Sequence, residues 1–183
     1  MRILLIIFLT FTGAFPVTIS CQIKDNKGLS VDSEPMYGQG IKNEEQLAAD
    51  KIFLKMCDSL YSSREMASNI HEDWGWECIQ DEDNATALKR FNQAWLLDSL
   101  NSGVYWGFGV LKYNDLQPKE ALHFFKRAGS LDPENAVLWY WMALCCQRLY
   151  VETGKKKHLE LKEEYLQMAE KFDTETNYRG RTD

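Results

Sequence analysis

The chain repeats itself at a spacing of 34 residues, without a gap. The segment TALKRFNQAWLLDSLNSGVYWGFG begins at Thr86, and EALHFFKRAGSLDPENAVLWYWMA begins at Glu120. The identical pairs are Ala87 and Ala121, Leu88 and Leu122, Phe91 and Phe125, Ala94 and Ala128, Leu97 and Leu131, Asp98 and Asp132, and Asn101 and Asn135. A repeat of this length predicts supersecondary units that stack on one another to bury a common core.

Each repeated unit has the pattern of two helices joined by a short turn. Apolar residues recur at intervals of three and four, which is one face of a helix. Asn101 and Asn135 suit the N-cap of the helix that follows each turn. Pro118 suits the first turn of a helix, and Pro133 cannot continue one. The order helix, turn, helix, turn is therefore predicted for each unit.

This pattern resembles the tetratricopeptide repeat, a family of 34-residue helical hairpins in which small and aromatic residues hold helix A against helix B. The unit Ser102–Asn135 supplies Tyr105, Phe108, Gly109, Ala121, Phe125, Ala128 and Pro133. The unit Ser68–Asn101 supplies Trp74, Gly75, Ala87, Phe91 and Ala94, with His71 and Ser99 departing from the pattern. The third unit supplies Trp139, Met142 and Ala143, and its helix B departs further. Gly75, Gly109, Ala121 and Ala128 would allow close helix contacts.

The resemblance implies an all-α fold, a short tetratricopeptide-like solenoid of about three hairpins with a capping helix at each end. We predict a capping helix within 43–67, repeats at 68–101 and 102–135, a degenerate third repeat at 136–173, and a disordered tail at 174–183. The first capping helix, Asn43–Tyr61, carries apolar Leu47, Phe53, Leu54, Met56 and Leu60. Leu159–Phe172 is predicted to cap the other end.

The N-terminus has the order of regions found in secretory signals. Arg2 precedes an apolar run, Ile3–Ile19, and small residues follow. A transmembrane anchor is the alternative, but the run is interrupted by Gly13 and Pro16 and lies at the lower length limit for spanning a bilayer. We therefore predict a cleaved signal peptide over 1–20.

The end of this segment, TISC, resembles the lipobox of bacterial lipoproteins, although Thr18 departs from the usual leucine. The resemblance implies lipidation of Cys21 and anchoring of the exported protein to a bacterial membrane in the cell envelope. Cleavage by signal peptidase nearby, giving a periplasmic or secreted protein, is the alternative. Residues 21–42 are polar and rich in Gly, Ser and Asp, which predicts a flexible tether.

Charge and motifs exclude several classes of function. The net charge of −6 argues against a nucleic-acid partner, which requires a basic face. Nucleotide-binding, serine-hydrolase and zinc-protease motifs are missing, and the histidines His71, His123 and His158 belong to no such motif. We predict no catalysis, cofactor or metal site. Cys57, Cys78, Cys145 and Cys146 are expected to be free thiols in helices, since adjacent cysteines rarely pair.

The resemblance also implies a binding surface. In tetratricopeptide proteins the A helices line a concave groove that receives a partner, and ten residues occupy the matching positions. These residues, called the predicted groove below, are Asn69, Glu72, Trp76, Gln80, Trp106, Tyr113, Asn114, Tyr140, Gln147 and Arg148. Tryptophan, tyrosine and arginine often dominate binding energy at protein interfaces. The alternative is that Trp76, Trp106 and Tyr140 belong to the core.

The sequence therefore predicts a membrane-anchored protein that binds a protein or peptide partner within an envelope assembly. Two alternatives use the same scaffold. One is an envelope enzyme or an inhibitor of an enzyme. The other is an immunity protein that neutralises a toxin, which would fit a small, acidic, exported chain.

Mass spectrometry of the mature protein tests the predicted processing. The N-terminal residue is expected to be Cys21 carrying acyl groups. An unmodified N-terminus near this position would favour ordinary signal peptidase, and an intact Met1 would favour a retained anchor.

Overall fold

The computed structural model describes residues 33–179, with side chains up to Asp173. The predicted signal peptide, Cys21 and most of the predicted tether lie outside the described residues. Within them the chain forms seven α-helices and no strand, so the predicted all-α class is confirmed. The helices are α1 (Glu44–Leu60), α2 (Arg64–Gln80), α3 (Asn84–Leu97), α4 (Ser102–Asn114), α5 (Pro118–Leu131), α6 (Ala136–Thr153) and α7 (Lys157–Arg179).

Consecutive helices pack as hairpins, and the hairpins stack in chain order. α2 packs on α3, α4 on α5 and α6 on α7, while α3 contacts α4 and α5 contacts α6 to join the hairpins. The predicted caps are present, because the side chains of Asn101 and Asn135 accept hydrogen bonds from the backbone at the start of α4 and α6. Pro118 begins α5. The result is a solenoid-like row of hairpins with one continuous core.

Two glycine–phenylalanine contacts repeat at the interval of 34 residues. Phe91 and Phe125 are fully buried on α3 and α5. A methyl group at Gly75 would lie 2.6 Å from Phe91 Cε1, and one at Gly109 would lie 2.5 Å from Phe125 Cε1. Gly107 also faces Phe91, so this ring fills the space between α2, α3 and α4. The absence of Cβ atoms is what allows these helices to approach so closely.

A repeated hydrogen bond accompanies the contact. The Ser68 hydroxyl donates to the Ala94 carbonyl at 2.9 Å, and the Ser102 hydroxyl, 34 residues later, donates to the Ala128 carbonyl at 3.3 Å. Each bond joins the A helix of a hairpin to the last turn of its B helix. The two hairpins are therefore built in the same way at the level of side-chain contacts.

Several boundaries differ from the prediction. α2 begins at Arg64, because Ser63 accepts a hydrogen bond from the Met66 backbone as N-cap, so the predicted boundary between 67 and 68 falls inside a helix. α6 continues to Thr153 and ends where Gly154 adopts a left-handed φ of 66°. α7 runs to Arg179, past the predicted start of the tail at 174, since neither proline nor glycine occurs before Gly180.

The end of the predicted tether is docked on the solenoid. Pro35–Gln39 form a 3₁₀ turn against α3 in which Pro35 is buried. The fully buried Asn92 donates to the Glu34 carbonyl at 2.9 Å and accepts from the Tyr37 amide at 3.4 Å. A buried amide needs such partners, and this need fixes the turn in place.

The described cysteines are all free thiols, as predicted. Cys57, Cys145 and Cys146 are buried, and Cys78 is half-buried. Burial raises the pKa of the Cys145 thiol to about 12 and also raises that of Cys146. A thiol in this state is a poor nucleophile, so the pair contributes packing rather than reactivity.

Alanine substitutions at two helical glycines should have opposite effects. Gly109→Ala places a methyl group against Phe125 and should lower the free energy of unfolding by about 1–3 kcal/mol through overpacking. Gly129→Ala meets only Met142 Cε at 3.5 Å, an ordinary contact, and should raise it by up to about 1 kcal/mol through helix propensity. Urea unfolding measures both variants, and equal effects would contradict the close-packing interpretation.

Candidate functional site

The predicted groove residues lie on the A helices of the three hairpins. Four are on α2, three on α4 and three on α6. They do not form one uniform surface. The side chains separate into an aromatic cluster at α2 and α4, a stacked pair between α4 and α6, and a set of exposed residues.

The aromatic cluster joins the first two A helices. The Trp76 and Trp106 rings meet edge to face, with centroids 4.9 Å apart. The Trp76 indole N–H donates to Glu72 Oε1 at 3.0 Å, which holds the carboxylate over Gly103 at the start of α4. Both tryptophans are half-buried and pack against the core cluster. They therefore belong to the core on one side and to the predicted groove on the other.

The indole N–H of Trp106 lacks a hydrogen-bond acceptor among the described residues and is shielded from solvent. An unmet buried donor costs on the order of 1–3 kcal/mol. A small movement of the Trp106 ring would be needed for an acceptor on a partner to reach it.

The stacked pair ties α4 to α6. The Arg148 guanidinium carbon lies 4.1 Å from the centroid of the Tyr113 ring, and Arg148 Nη1 donates to the Tyr113 carbonyl at 2.8 Å. Tyr113 also meets Trp141 edge to face at 5.4 Å. The contacts of these two residues hold the second and third hairpins together, a role that the repeat pattern could not reveal.

The remaining groove residues are the most accessible. Asn69, Gln80, Asn114 and Tyr140 are exposed, and Gln147 is half-buried. Tyr140 is 50% exposed and lines an open depression of about 400 Å³ between α6 and α7. The other lining residues are Ala136, Val137, Ala169, Glu170 and Asp173. Only the α6 side of this depression could be anticipated, since the α7 side depends on how the degenerate hairpin closes.

His71, the histidine with acidic neighbours in sequence, is buried among structural contacts. Its ring meets Phe53 and Trp74 edge to face, and Nδ1 lies 3.0 Å from Gln93 Oε1, so Nδ1 donates to that oxygen. Burial lowers the pKa of His71 to about 4, and the nearby Arg90 adds to the effect. The imidazole is therefore neutral near pH 7 and serves to join α2 to α1 and α3.

Comparison with known proteins leaves the family resemblance untested. The sequence matches no protein-family model, and neither the curated proteins nor the solved structures gave a match. Over the described part of the chain, no helix is long and apolar enough to cross a membrane. The same residues contain no group of three or more side chains suited to holding a metal ion.

The protonation of His71 should make stability depend on pH. Between about pH 6.5 and pH 4 the unfolded chain binds a proton on His71 that the folded chain does not, so stability falls as the pH is lowered through this window. The loss should reach up to about 3 kcal/mol relative to a His71→Gln variant, whatever the stability of that variant at pH 7. Urea unfolding at several pH values measures the difference. His123→Gln, at an exposed position, is the control, and an NMR titration placing the His71 pKa at or above 6.5 would contradict the prediction.

Proposed function

We propose that this chain is a non-enzymatic protein–protein interaction module of the tetratricopeptide type. It is exported, anchored to the membrane through a lipid on Cys21, and binds a peptide or helix of a partner protein within a cell-envelope assembly. The binding surface is the predicted groove along α2, α4 and α6.

The Trp76–Trp106 pair is the observation that carries this proposal. Two tryptophans on successive A helices are held in one orientation by their mutual contact and by the bond to Glu72. Rigid aromatic surface lowers the entropy cost of binding, and such residues are common energetic anchors at interfaces. The half-exposed Tyr140 extends the accessible aromatic surface to α6.

Packing of the other groove residues narrows the proposal. Arg148 and Tyr113 are occupied with each other, so they support the face more than they contact a partner. The accessible polar groups are Asn69, Gln80 and Asn114. A partner segment with apolar side chains for the aromatic cluster and hydrogen-bonding groups for these amides fits this face best.

Affinity purification of the full-length tagged chain in detergent tests the proposal. A stoichiometric partner should co-purify with the unmodified chain and be lost from the Trp106→Ala/Tyr140→Ala variant. Tyr140→Ala alone should weaken recovery, and because this side chain is half-exposed the single variant is expected to stay folded. His123→Ala, on the exposed side of α5, should retain the partner.

Circular dichroism of each variant separates lost binding from lost folding. Recovery of the chain without any partner would contradict the proposal. So would a cellular phenotype that survives the Trp106→Ala/Tyr140→Ala change but is lost in a folded His71→Gln variant, which would point to the enzyme alternative.

A further inference from the structure

The first helix of the solenoid presents an apolar stripe to solvent. Ile52, Met56 and Leu60 follow one another at intervals of four residues and are 71%, 50% and 67% exposed. α1 packs chiefly against α2, through the opposite side of the helix where Cys57 is buried. Met56 and Leu60 are therefore outside the core, although their sequence pattern resembles that of core residues.

The other end of the solenoid is different. α7 exposes Glu163, Glu164 and Gln167, which gives the last helix a polar outer face. The end helices of a stacked repeat protein need such a face, because no further repeat covers them. α1 lacks it, which indicates that another helix covers its outer side.

The spacing along α1 identifies the kind of helix that fits. Ala49, Ile52, Met56 and Ser59 are separated by three, four and three residues, the spacing of a seam between two paired helices. We propose that α1 pairs with the α1 of a second copy of this chain, in antiparallel orientation about a two-fold axis.

Size complementarity supports the antiparallel register. With Ile52 of one copy opposite Met56 of the other, Ala49 lies opposite Ser59, and the two-fold axis creates each of these layers twice. Large side chains then fill the centre, while small side chains at both ends let the helices approach. Leu60 flanks Ala49 of the second copy and extends the apolar contact.

Charge complementarity supports the same register. It brings Glu44 and Glu45, in the first turn of one α1, to the end of the other α1 where Arg64 lies. Arg64 uses Nε and Nη2 to bind Asp58 at 2.8 and 2.9 Å, which leaves Nη1 for a second carboxylate. Across α1, four acidic residues outweigh two basic ones, a balance that disfavours an anionic lipid surface as the occupant.

The size of the contact sets the expected affinity. A 17-residue helix is about 25 Å long, so one helix pair forms a small interface. A reversible dimer with a dissociation constant in the micromolar range is expected. Pairing through α1 does not use the predicted groove, so it is independent of the proposed function.

Sedimentation equilibrium of the full chain, in a non-ionic detergent matched to the solvent density, measures the dimer. Ile52→Glu should weaken dimerisation by about tenfold or more, because each dimer would bury two unpaired carboxylates. Val151→Glu is the matched control, since Val151 is 75% exposed on α6, far along the chain from α1. A monomer at all concentrations, or a dimer unaffected by Ile52→Glu, would overturn the proposal.

Charge substitutions test the register itself. Ala49→Glu or Ser59→Lys alone should weaken the dimer, and the double variant should regain it, because the introduced carboxylate of each copy then meets the introduced ammonium group of the other. Within one chain these positions are about 15 Å apart along α1, too far to pair. A parallel dimer would bring like charges together instead, so failure of the double variant to recover would overturn the antiparallel arrangement. Circular dichroism confirms that each variant is folded.

Discussion

Contact between a glycine on one helix and a phenylalanine ring on the next is the interaction on which the solenoid depends. Phe91 lies against Gly75 of its own hairpin and Gly107 of the following one, and Phe125 lies against Gly109. Phe91 and Phe125 are fully buried. Because side chains larger than hydrogen are excluded at these glycines, the helix spacing is set by the ring, and the same spacing recurs in each hairpin.

This packing explains why the binding surface and the core share residues. The close approach of α2 and α4 brings Trp76 and Trp106 into edge contact, with one side of each ring against the core. A face built in this way is rigid, because moving either indole would disturb Phe91, which meets Trp76 at 5.4 Å. Rigidity favours recognition of a partner segment whose shape matches the face.

The two ends of the solenoid show how a repeat protein manages its last surfaces. At the C-terminal end, Trp139 of α6 stacks on Phe172 and packs near Tyr165, which closes the degenerate hairpin and leaves polar residues outside. At the other end α1 leaves Ile52 and its neighbours uncovered. An asymmetry of this kind directs association to one end of the row, since only that end gains from burying apolar surface.

The amino-acid sequence alone determined the helical hairpins, their caps and the glycine–phenylalanine contacts, because all of these are local or recur at a fixed interval. The start of α2 and the docking of the Pro35–Gln39 turn were missed, since the second depends on Asn92, a residue 55 positions away from Tyr37. Only the tertiary structure decided which apolar residues of α1 face outward and that Arg148 stacks on Tyr113. A helical pattern specifies a stripe of residues, but the direction in which that stripe points is set by the neighbouring helices.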